Sequence, residues 1–234
     1  MTEVDRFLLS LKHKDGYESP YKGDDGLERI DLRVPVVRKA FKENFQNRSS
    51  SFWKKIWKES KYMESMSVAI YAFQYRSLKK NELDLLFTWL KQVRCWEHSD
   101  DLSKIFAQAL EENPSWVLPT LKKWNSSKNS WERRQSVVSL IEYHGKRKKV
   151  LPFNELIRFI KPLLNDGDYY VQKGVGWTLR EVYCLYPEKT LAFFERNLNL
   201  INAKAYSAAV EKLDSKTKAN FRLRRKKYRE SLRK

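Results

Sequence analysis

Apolar residues recur every three or four positions over most of the chain, from about residue 36 to residue 194. That spacing is the period of an amphipathic α-helix, and it returns in segments separated by short polar stretches. Representative apolar sets are Phe52, Trp53, Ile56 and Trp57, and later Val171, Val175, Leu179 and Val182. No segment shows the alternation of apolar and polar residues that indicates a half-buried strand. The pattern therefore predicts an all-α fold.

The predicted helices are separated by breaks rich in Asn, Gly and Pro, which are typical of helix ends. The breaks are Asn113-Pro114, residues 125–129, Lys161-Pro162, residues 165–167 and Tyr186-Pro187. We expect all five prolines after residue 100, which are Pro114, Pro119, Pro152, Pro162 and Pro187, to lie near helix ends. Residues from about 10 to 35 are polar and predict a loop that leads into a helix near Pro35.

The chain also contains an internal repeat. Residues 131–140 align with residues 170–179 at a period of about 39 residues, which pairs Arg134 with Lys173. A weaker copy of the repeat begins near residue 63. Helix pairs that repeat at about 40 residues are typical of HEAT-type solenoids. We therefore expect a HEAT-like helical-repeat solenoid whose concave face presents equivalent positions of successive repeats.

The charge balance indicates what that face binds. Forty-seven Lys and Arg against 29 Asp and Glu give a formal net charge of +18. An excess this large predicts a polyanionic partner, most simply nucleic acid, so the concave face is expected to be basic and to bind DNA. Residues 216–234 are dense in Lys and Arg and predict a basic C-terminal helix or tail that contacts phosphates. Residues 1–215 are expected to form a single HEAT-like domain.

Several classes of site are disfavoured by what the sequence lacks. There is no phosphate-binding GxxxxGK[ST], no GxSxG, no HExxH and no Rossmann glycine triplet, so no cofactor is expected. Cys95 and His98 supply only two neighbouring metal ligands, so no metal site is expected. Cys95 and Cys184 are expected to be reduced thiols, with a disulfide as the lesser alternative. No signal peptide and no run of roughly 20 apolar residues is present, so we expect a cytoplasmic protein without a membrane segment.

Two pairs of residues carry the candidate chemistry. Trp96 and Asp100 are four residues apart and Trp177 and Arg180 three apart, so each pair shares one face of a helix. If the repeats stack, these groups and Arg134 are expected to point at one region of the concave surface. The alternative is structural, because tryptophans at helical spacing usually belong to the core and Asp100 is able to cap a helix or pair with a lysine. The residues alone leave both interpretations open.

Three stretches resemble the AlkD-like family of DNA alkylation repair glycosylases, which are HEAT-like repeat proteins. They are Trp96-Glu97-His98-Ser99-Asp100 (family pattern Trp-x-x-x-Asp), Trp131-Glu132-Arg133-Arg134 (Trp-x-Arg-Arg) and Gln172-Lys173-Gly174-Val175-Gly176-Trp177-Thr178-Leu179-Arg180. Arg33-Val34-Pro35-Val36-Val37-Arg38 also resembles the Arg-Val-Pro-x-x-Arg of the family. The likeness covers roughly residues 15 to 210.

The resemblance implies a glycosylase that hydrolyses the N-glycosidic bond of cationic N3- and N7-alkylated purines in duplex DNA, without flipping the base. The catalytic residues would be Asp100, Trp96 and Trp177. The DNA-binding residues would be Arg134, Arg180, Lys173 and Arg133. The enzyme would need no cofactor and no metal, and we expect it to be a monomer associated with the nucleoid.

Two other functions stay open at this point. A HEAT-repeat protein that binds branched or distorted DNA without catalysis would bind tightly and release no base. A protein-binding scaffold would bind duplex DNA weakly, and the surplus of positive charge speaks against it. Because both tryptophans and Asp100 match the family pattern, the catalytic interpretation is favoured.

Overall fold

The computed structural model describes residues 1–18, 25–74 and 76–232. These residues form thirteen α-helices joined by turns and short irregular segments. They contain no β-strand, and one isolated bridge joins Glu28 to Tyr62, so the all-α prediction is confirmed. None of these helices has the length and apolarity needed to cross a bilayer. Part of the loop predicted over residues 10–35, namely residues 19–24, and the end of the basic tail, residues 233–234, lie outside the described residues.

The helices fall into two compact units, Met1–Ile105 and Phe106–Lys234. The first unit contains α1 (Glu3–Asp15), α2 (Val34–Ala40), α3 (Ser50–Glu59), α4 (Met63–Tyr71), α5 (Lys80–Trp89) and the beginning of α6 (Trp96–Glu112). A π-helical turn, Phe41–Phe45, follows α2. The core of this unit is aromatic. The rings of Trp57 and Trp89 stack at a centroid distance of 4.8 Å, and both side chains are buried.

Helix α1 extends into the segment where the sequence predicted a loop, and that prediction is wrong up to Asp15. The ends of the helix explain its stability. Thr2 Oγ1 accepts the N–H of Asp5 at 3.1 Å while the Asp5 carboxylate accepts the N–H of Thr2, which is a capping box. Gly16 ends the helix in the left-handed region, at φ 57°. The helix also buries Val4 and Leu8, which are four residues apart on one face.

The second unit continues from α6 with α7 (Pro114–Asn125), α8 (Ser130–Val138), α9 (Phe153–Ile160), α10 (Tyr169–Leu185), α11 (Pro187–Asn197), α12 (Ala203–Ala209) and α13 (Ser215–Ser231). The predicted breaks fall between these helices, as expected. Pro119 is the exception, because it lies inside α7. It cannot donate a hydrogen bond to the carbonyl of Ser115, and since both residues are exposed, water can satisfy that carbonyl.

Helix α10 lies between α8 and α12, and two glycines set its distance from each. A Cβ on Gly174 would lie 3.0 Å from Val138 of α8, and a Cβ on Gly176 would lie only 2.4 Å from the carbonyl oxygen of Ala205 in α12. α8 begins at Ser130 and α10 at Tyr169, which agrees with the period read from the sequence. Neighbouring helices of successive pairs therefore pack side by side in the second unit.

Candidate active site

Helix α6 presents Trp96 and Asp100 on one face. The helix begins at Trp96, so Asp100 lies one turn further along it. Trp96 is 42% exposed, and Asp100 is half-buried. Because Asp100 is in the second turn, it is not the cap of this helix. Lys104 pairs with the neighbouring Asp101, at 2.7 Å. An accessible indole and a carboxylate therefore share the outer face of α6, as the sequence predicted.

The opposite face of α6 is anchored in the core by His98. Its Nε2 lies 2.9 Å from the carbonyl oxygen of Met63, and its ring meets the edge of Trp57 at 5.2 Å. Burial lowers the pKa of His98, although the hydrogen bond with Met63 acts in the opposite direction. Burial also raises the pKa of the Cys95 thiol well above its usual range. These two residues fix α6 in place and leave Trp96 on the outside.

Asp101 joins α6 to α2 and to the turn after α4 through a polar network that the sequence did not predict. Arg38 Nη2 lies 3.4 Å from Asp101 Oδ1, and Gln74 Nε2 donates to the Asp101 carbonyl at 3.0 Å. The Arg38 guanidinium also lies over the ring of Tyr71, 4.1 Å from its centroid. Arg38 is the last residue of the Arg-Val-Pro-x-x-Arg stretch, and that resemblance was the only feature of the sequence that drew attention to Arg38. Its role here is to hold the helix that carries Asp100.

In the second unit, the outer face of α10 carries a stripe of aromatic and cationic residues. Tyr169 is 51% exposed, Lys173 is exposed, and Trp177 and Arg180 are partly exposed. Their spacing of four, four and three residues keeps them on one side of the helix. The Arg180 guanidinium lies 5.9 Å from the centroid of the Trp177 ring. Neither predicted catalytic indole is therefore a fully buried core residue.

Arg180 is held beside Trp177 by two carboxylates. Its Nε donates to Glu181 at 3.0 Å and its Nη1 to Glu211 at 2.9 Å. Glu181 is buried and also accepts the backbone N–H of His144 at 3.0 Å. Burial raises the pKa of Glu181, but the hydrogen bonds from His144 and Arg180 outweigh it, so the net pKa lies below the ordinary value. The buried carboxylate is thus kept charged and fixes the orientation of Arg180.

Arg134 is not an exposed side chain. Only 3% of it is accessible, its Nη1 donates to the Tyr170 carbonyl at 2.7 Å, and its stem packs over Gly174. This arrangement ties α8 to the first turn of α10. The phosphate contact that the sequence predicted for Arg134 stays a prediction, and burial leaves only a small part of the side chain for it.

Arg133 is also engaged within the protein. It makes a two-point ion pair with Asp166, at 2.6 and 3.0 Å, and donates to the carbonyls of Ser127 and Lys128. Burial raises the pKa of Asp166, but the hydrogen bonds from Arg133 and from the N–H of Asp168 lower it by more. The net pKa of Asp166 therefore lies below its ordinary value. A DNA contact by Arg133 stays a prediction, and it would have to be shared with these partners. Lys173 is the predicted DNA-binding residue that is most open.

A cavity of about 850 Å³ opens beside the π-helical turn of the first unit, and no sequence pattern indicated it. It is lined by Phe41, Lys42, Gln46, Asn47, Arg48, Ser50, Trp53, Tyr71, Ala72, Gln74 and Arg76. Two of its cations are already paired, Arg48 with Glu3 at 2.6 Å and Arg76 with Glu82 at 2.7 Å. Because these carboxylates offset the positive charge, the cavity is not assigned as an anion site.

Known proteins resemble this chain over nearly its whole length. AlkD2 from Streptococcus mutans matches 91% of this chain and 100% of its own, with 18% identity and a TM-score of 0.60. A protein from Enterococcus faecalis, described as a predicted DNA alkylation repair enzyme, matches 91% of this chain and 96% of its own, with 13% identity and a TM-score of 0.63. At these identities the likeness establishes the fold, so the predicted helical-repeat fold is confirmed. No curated protein matches the chain.

A family model described as DNA alkylation repair enzyme matches residues 12–213. The match includes all of the residues predicted to form the site, and it ends before α13. That Trp96 and Asp100 act together with Trp177 stays a prediction, as does the basic character of a concave face. Because the family model spans well over half of the chain, this protein belongs to the DNA alkylation repair enzyme family and has a role in DNA alkylation repair.

Proposed function

We propose that this enzyme is a DNA glycosylase that hydrolyses the N-glycosidic bond of cationic N3- and N7-alkylated purines in duplex DNA, without flipping the base. The observation that carries the proposal is the exposure of an indole next to a carboxylate on α6. Trp96 is the only one of the eight tryptophans, all of them in described parts of the chain, that counts as exposed. A ligand that covers this ring would remove apolar surface from water, which is favourable.

The chemistry of the substrate suits these residues. An alkylated purine already carries a positive charge, so it leaves readily and needs little acid catalysis. Bond breaking moves positive charge onto the deoxyribose, and a fixed carboxylate at Asp100 would stabilise that cation and orient the attacking water. The negative faces of Trp96 and Trp177 would attract the cationic sugar and base. No metal or cofactor enters these steps.

Phosphate contacts would come from the outer stripe of α10. Lys173 is exposed, and Arg180 uses one side of its guanidinium for buried Glu181 and the other for Glu211, whose side chain is 49% exposed. A DNA phosphate would replace Glu211 at Arg180, because the geometry of a phosphate also fits the guanidinium fork. Such contacts position the duplex and carry no sequence information. We expect the protein to act as a monomer on DNA at the nucleoid.

The proposal is tested by single-turnover release of N7-methylguanine from duplex DNA. Asp100→Asn is expected to slow release by about 100-fold, as removal of one preorganised electrostatic contact often does. Asp84→Asn is the matched control, because it removes one carboxylate from an exposed position on α5 and should release base at the wild-type rate. Equal rates for Asp100→Asn and the wild type would remove the proposed catalytic role. Tight duplex binding by a wild-type protein that releases no base would instead identify a non-catalytic DNA-binding protein.

A further inference from the structure

Helix α13 lies beyond residue 213, where the match to the family model ends. It is anchored on its inner face by Phe221, which is buried and meets Phe194 of α11 at 6.2 Å. Arg225 lies over the ring of Tyr206 in α12, 4.5 Å from its centroid, and Lys218 donates to the Glu211 carbonyl at 2.8 Å. Lys218 of α13 contacts Glu211, and the later residue Arg225 contacts the earlier residue Tyr206. Helix α13 therefore runs antiparallel to the segment that contains α12.

The outer faces of α13 are crowded with positive charge. The exposed basic residues are Lys216, Arg222, Arg224, Lys226, Lys227 and Arg229, and the one acid within the helix is Glu230. Like charges three and four residues apart repel one another in a helix. Burial, and after it the nearby charge of Arg229, lowers the pKa of Arg225. A polyanion laid along the helix would relieve this repulsion.

The basic residues divide into two sides. At about 100° per residue, Arg229 and Arg222 lie about 40° and 60° from Arg225, on the edge beside α12. Lys226, which pairs with Glu230, lies about 100° from Arg225 on the same side. Arg224 lies on the other edge, where it pairs with Glu195 of α11. We call Arg222, Lys226 and Arg229 the α12-side row. Lys216 and Lys227 lie more than 90° away from Arg222 around the helix and serve as a comparison.

The surface of α12 beside this row is open to a broad ligand. Its exposed positions carry Ala203, Lys204 and Ser207, which are small or cationic side chains. Lys204 reaches the ring of Tyr169 in α10, 5.7 Å from its centroid. Helix α12 therefore contacts both the outer stripe of α10, through Lys204, and α13, through Tyr206.

We propose that the α12-side row of α13 is a second phosphate-binding surface, which grips duplex DNA flanking the lesion and so enlarges the footprint of the enzyme. The inference rests on the proposed function, in which the α10 stripe contacts DNA. The row supplies affinity and takes no part in bond breaking. Its recognition is electrostatic, so it does not depend on the base sequence of the flanking duplex.

The test measures binding to an undamaged duplex over a range of salt concentrations. Each lost phosphate contact reduces the slope of log K against log salt by about 0.9. Arg222→Gln/Arg229→Gln is expected to reduce the slope by about 2 and the affinity at 0.1 M salt by about ten- to a hundredfold. Lys216→Gln/Lys227→Gln is the matched control, because it removes the same charge from the other side of α13, and it should change affinity less than threefold. Glutamine is a good helix former, so α13 should be preserved, and circular dichroism checks it.

Three results would overturn the inference. An unchanged slope in Arg222→Gln/Arg229→Gln would show that the row makes no DNA contact. Equal losses of DNA affinity in the two double variants would show that only the net charge of α13 matters and that the row is not a specific DNA-binding surface. Binding of wild-type protein to phosphatidylglycerol vesicles that only the row variant loses, with DNA binding intact, would identify a lipid surface instead. Base release at saturating protein is followed in parallel and should be unchanged. If no base is released but the slope still falls, the glycosylase proposal fails and the surface stands.

Discussion

Gly176 offers the sharpest test of how α10 is packed. A methyl group added there would lie 2.4 Å from the carbonyl oxygen of Ala205, where real Cβ contacts essentially never fall below 3.0 Å. The clashing atom belongs to the backbone of α12, so no side-chain rotation relieves it. We therefore expect Gly176→Ala to push α12 away from α10. Gly174→Ala is the comparison, because its Cβ would meet only side-chain atoms of Val138 and Arg134, at 3.0 and 3.2 Å.

The expected magnitudes follow from two opposing effects. Replacing glycine by alanine inside a helix stabilises it by about 1 kcal/mol. Overpacking against a fixed neighbour costs about 1–3 kcal/mol, and a backbone clash at Gly176 belongs at the upper end. The free energy of unfolding should therefore fall by about 2 kcal/mol for Gly176→Ala and stay within about 1 kcal/mol of wild type for Gly174→Ala. For a chain of this size, that loss lowers Tm by about 4–8 °C.

Urea denaturation followed by tryptophan fluorescence, together with thermal melts, measures both variants under one set of conditions. A Gly176→Ala protein as stable as Gly174→Ala would refute the reasoning, because the clash would then be absorbed without moving α12. A lower m-value without a lower midpoint would also count against it, since the expected effect is on stability and not on the surface exposed on unfolding.

Three further predictions concern the charged groups of the second unit. Glu211→Gln should raise duplex affinity severalfold in filter binding, because Arg180 loses a competitor for phosphate; unchanged affinity would argue against that contact. Glu181→Gln should cost about 2–3 kcal/mol in urea denaturation, since it leaves buried donors without a charged acceptor, and an unchanged midpoint would contradict this. Asp166→Asn should cost about 2 kcal/mol at pH 7 through its pair with Arg133. Because the folded-state pKa of Asp166 is lowered, this contribution is complete above about pH 5. It is lost as pH falls through the folded pKa, so melts of variant and wild type should converge below pH 4, and a constant difference would refute the assignment.

The sequence predicted the parts of the fold that depend on local signals. Proline and asparagine mark most of the helix ends correctly, and a four-residue spacing places Trp96 and Asp100 on one face because helical geometry requires it. Helix α1 was missed because charged residues interrupt its apolar face, although the buried Val4 and Leu8 are four residues apart and a polar capping box marks its start. Pro119 produced the opposite error, because proline usually marks a helix end but here lies inside α7. The helix continues because the carbonyl of Ser115, which lacks an N–H donor, is exposed to water.

The fate of the arginines could not be predicted, because it depends on contacts between residues far apart in the chain. Arg134 is buried by Tyr170 and Gly174, which come from another helix, and Arg133 meets Asp166 in a connection 33 residues away. In the sequence, both look like surface cations beside a tryptophan. Nothing in the residues alone distinguishes an arginine that holds two helices together from one that holds a phosphate.

The Gly174–Trp177 segment illustrates how packing and function divide one helix. Gly174 and Gly176 are two positions apart, which is about 200° around a helix, so they face different neighbours and hold α10 from both sides. With α10 held in this way, Lys173 is left exposed on the outer face, and Trp177 is partly exposed with its Nε1 buried. Replacing a residue that packs against neighbouring helices lowers the stability of the protein, whether or not that residue also has a function. Lys173→Gln should therefore leave the Tm within a few degrees of wild type while it weakens DNA binding, and that separation distinguishes a functional side chain from a structural one.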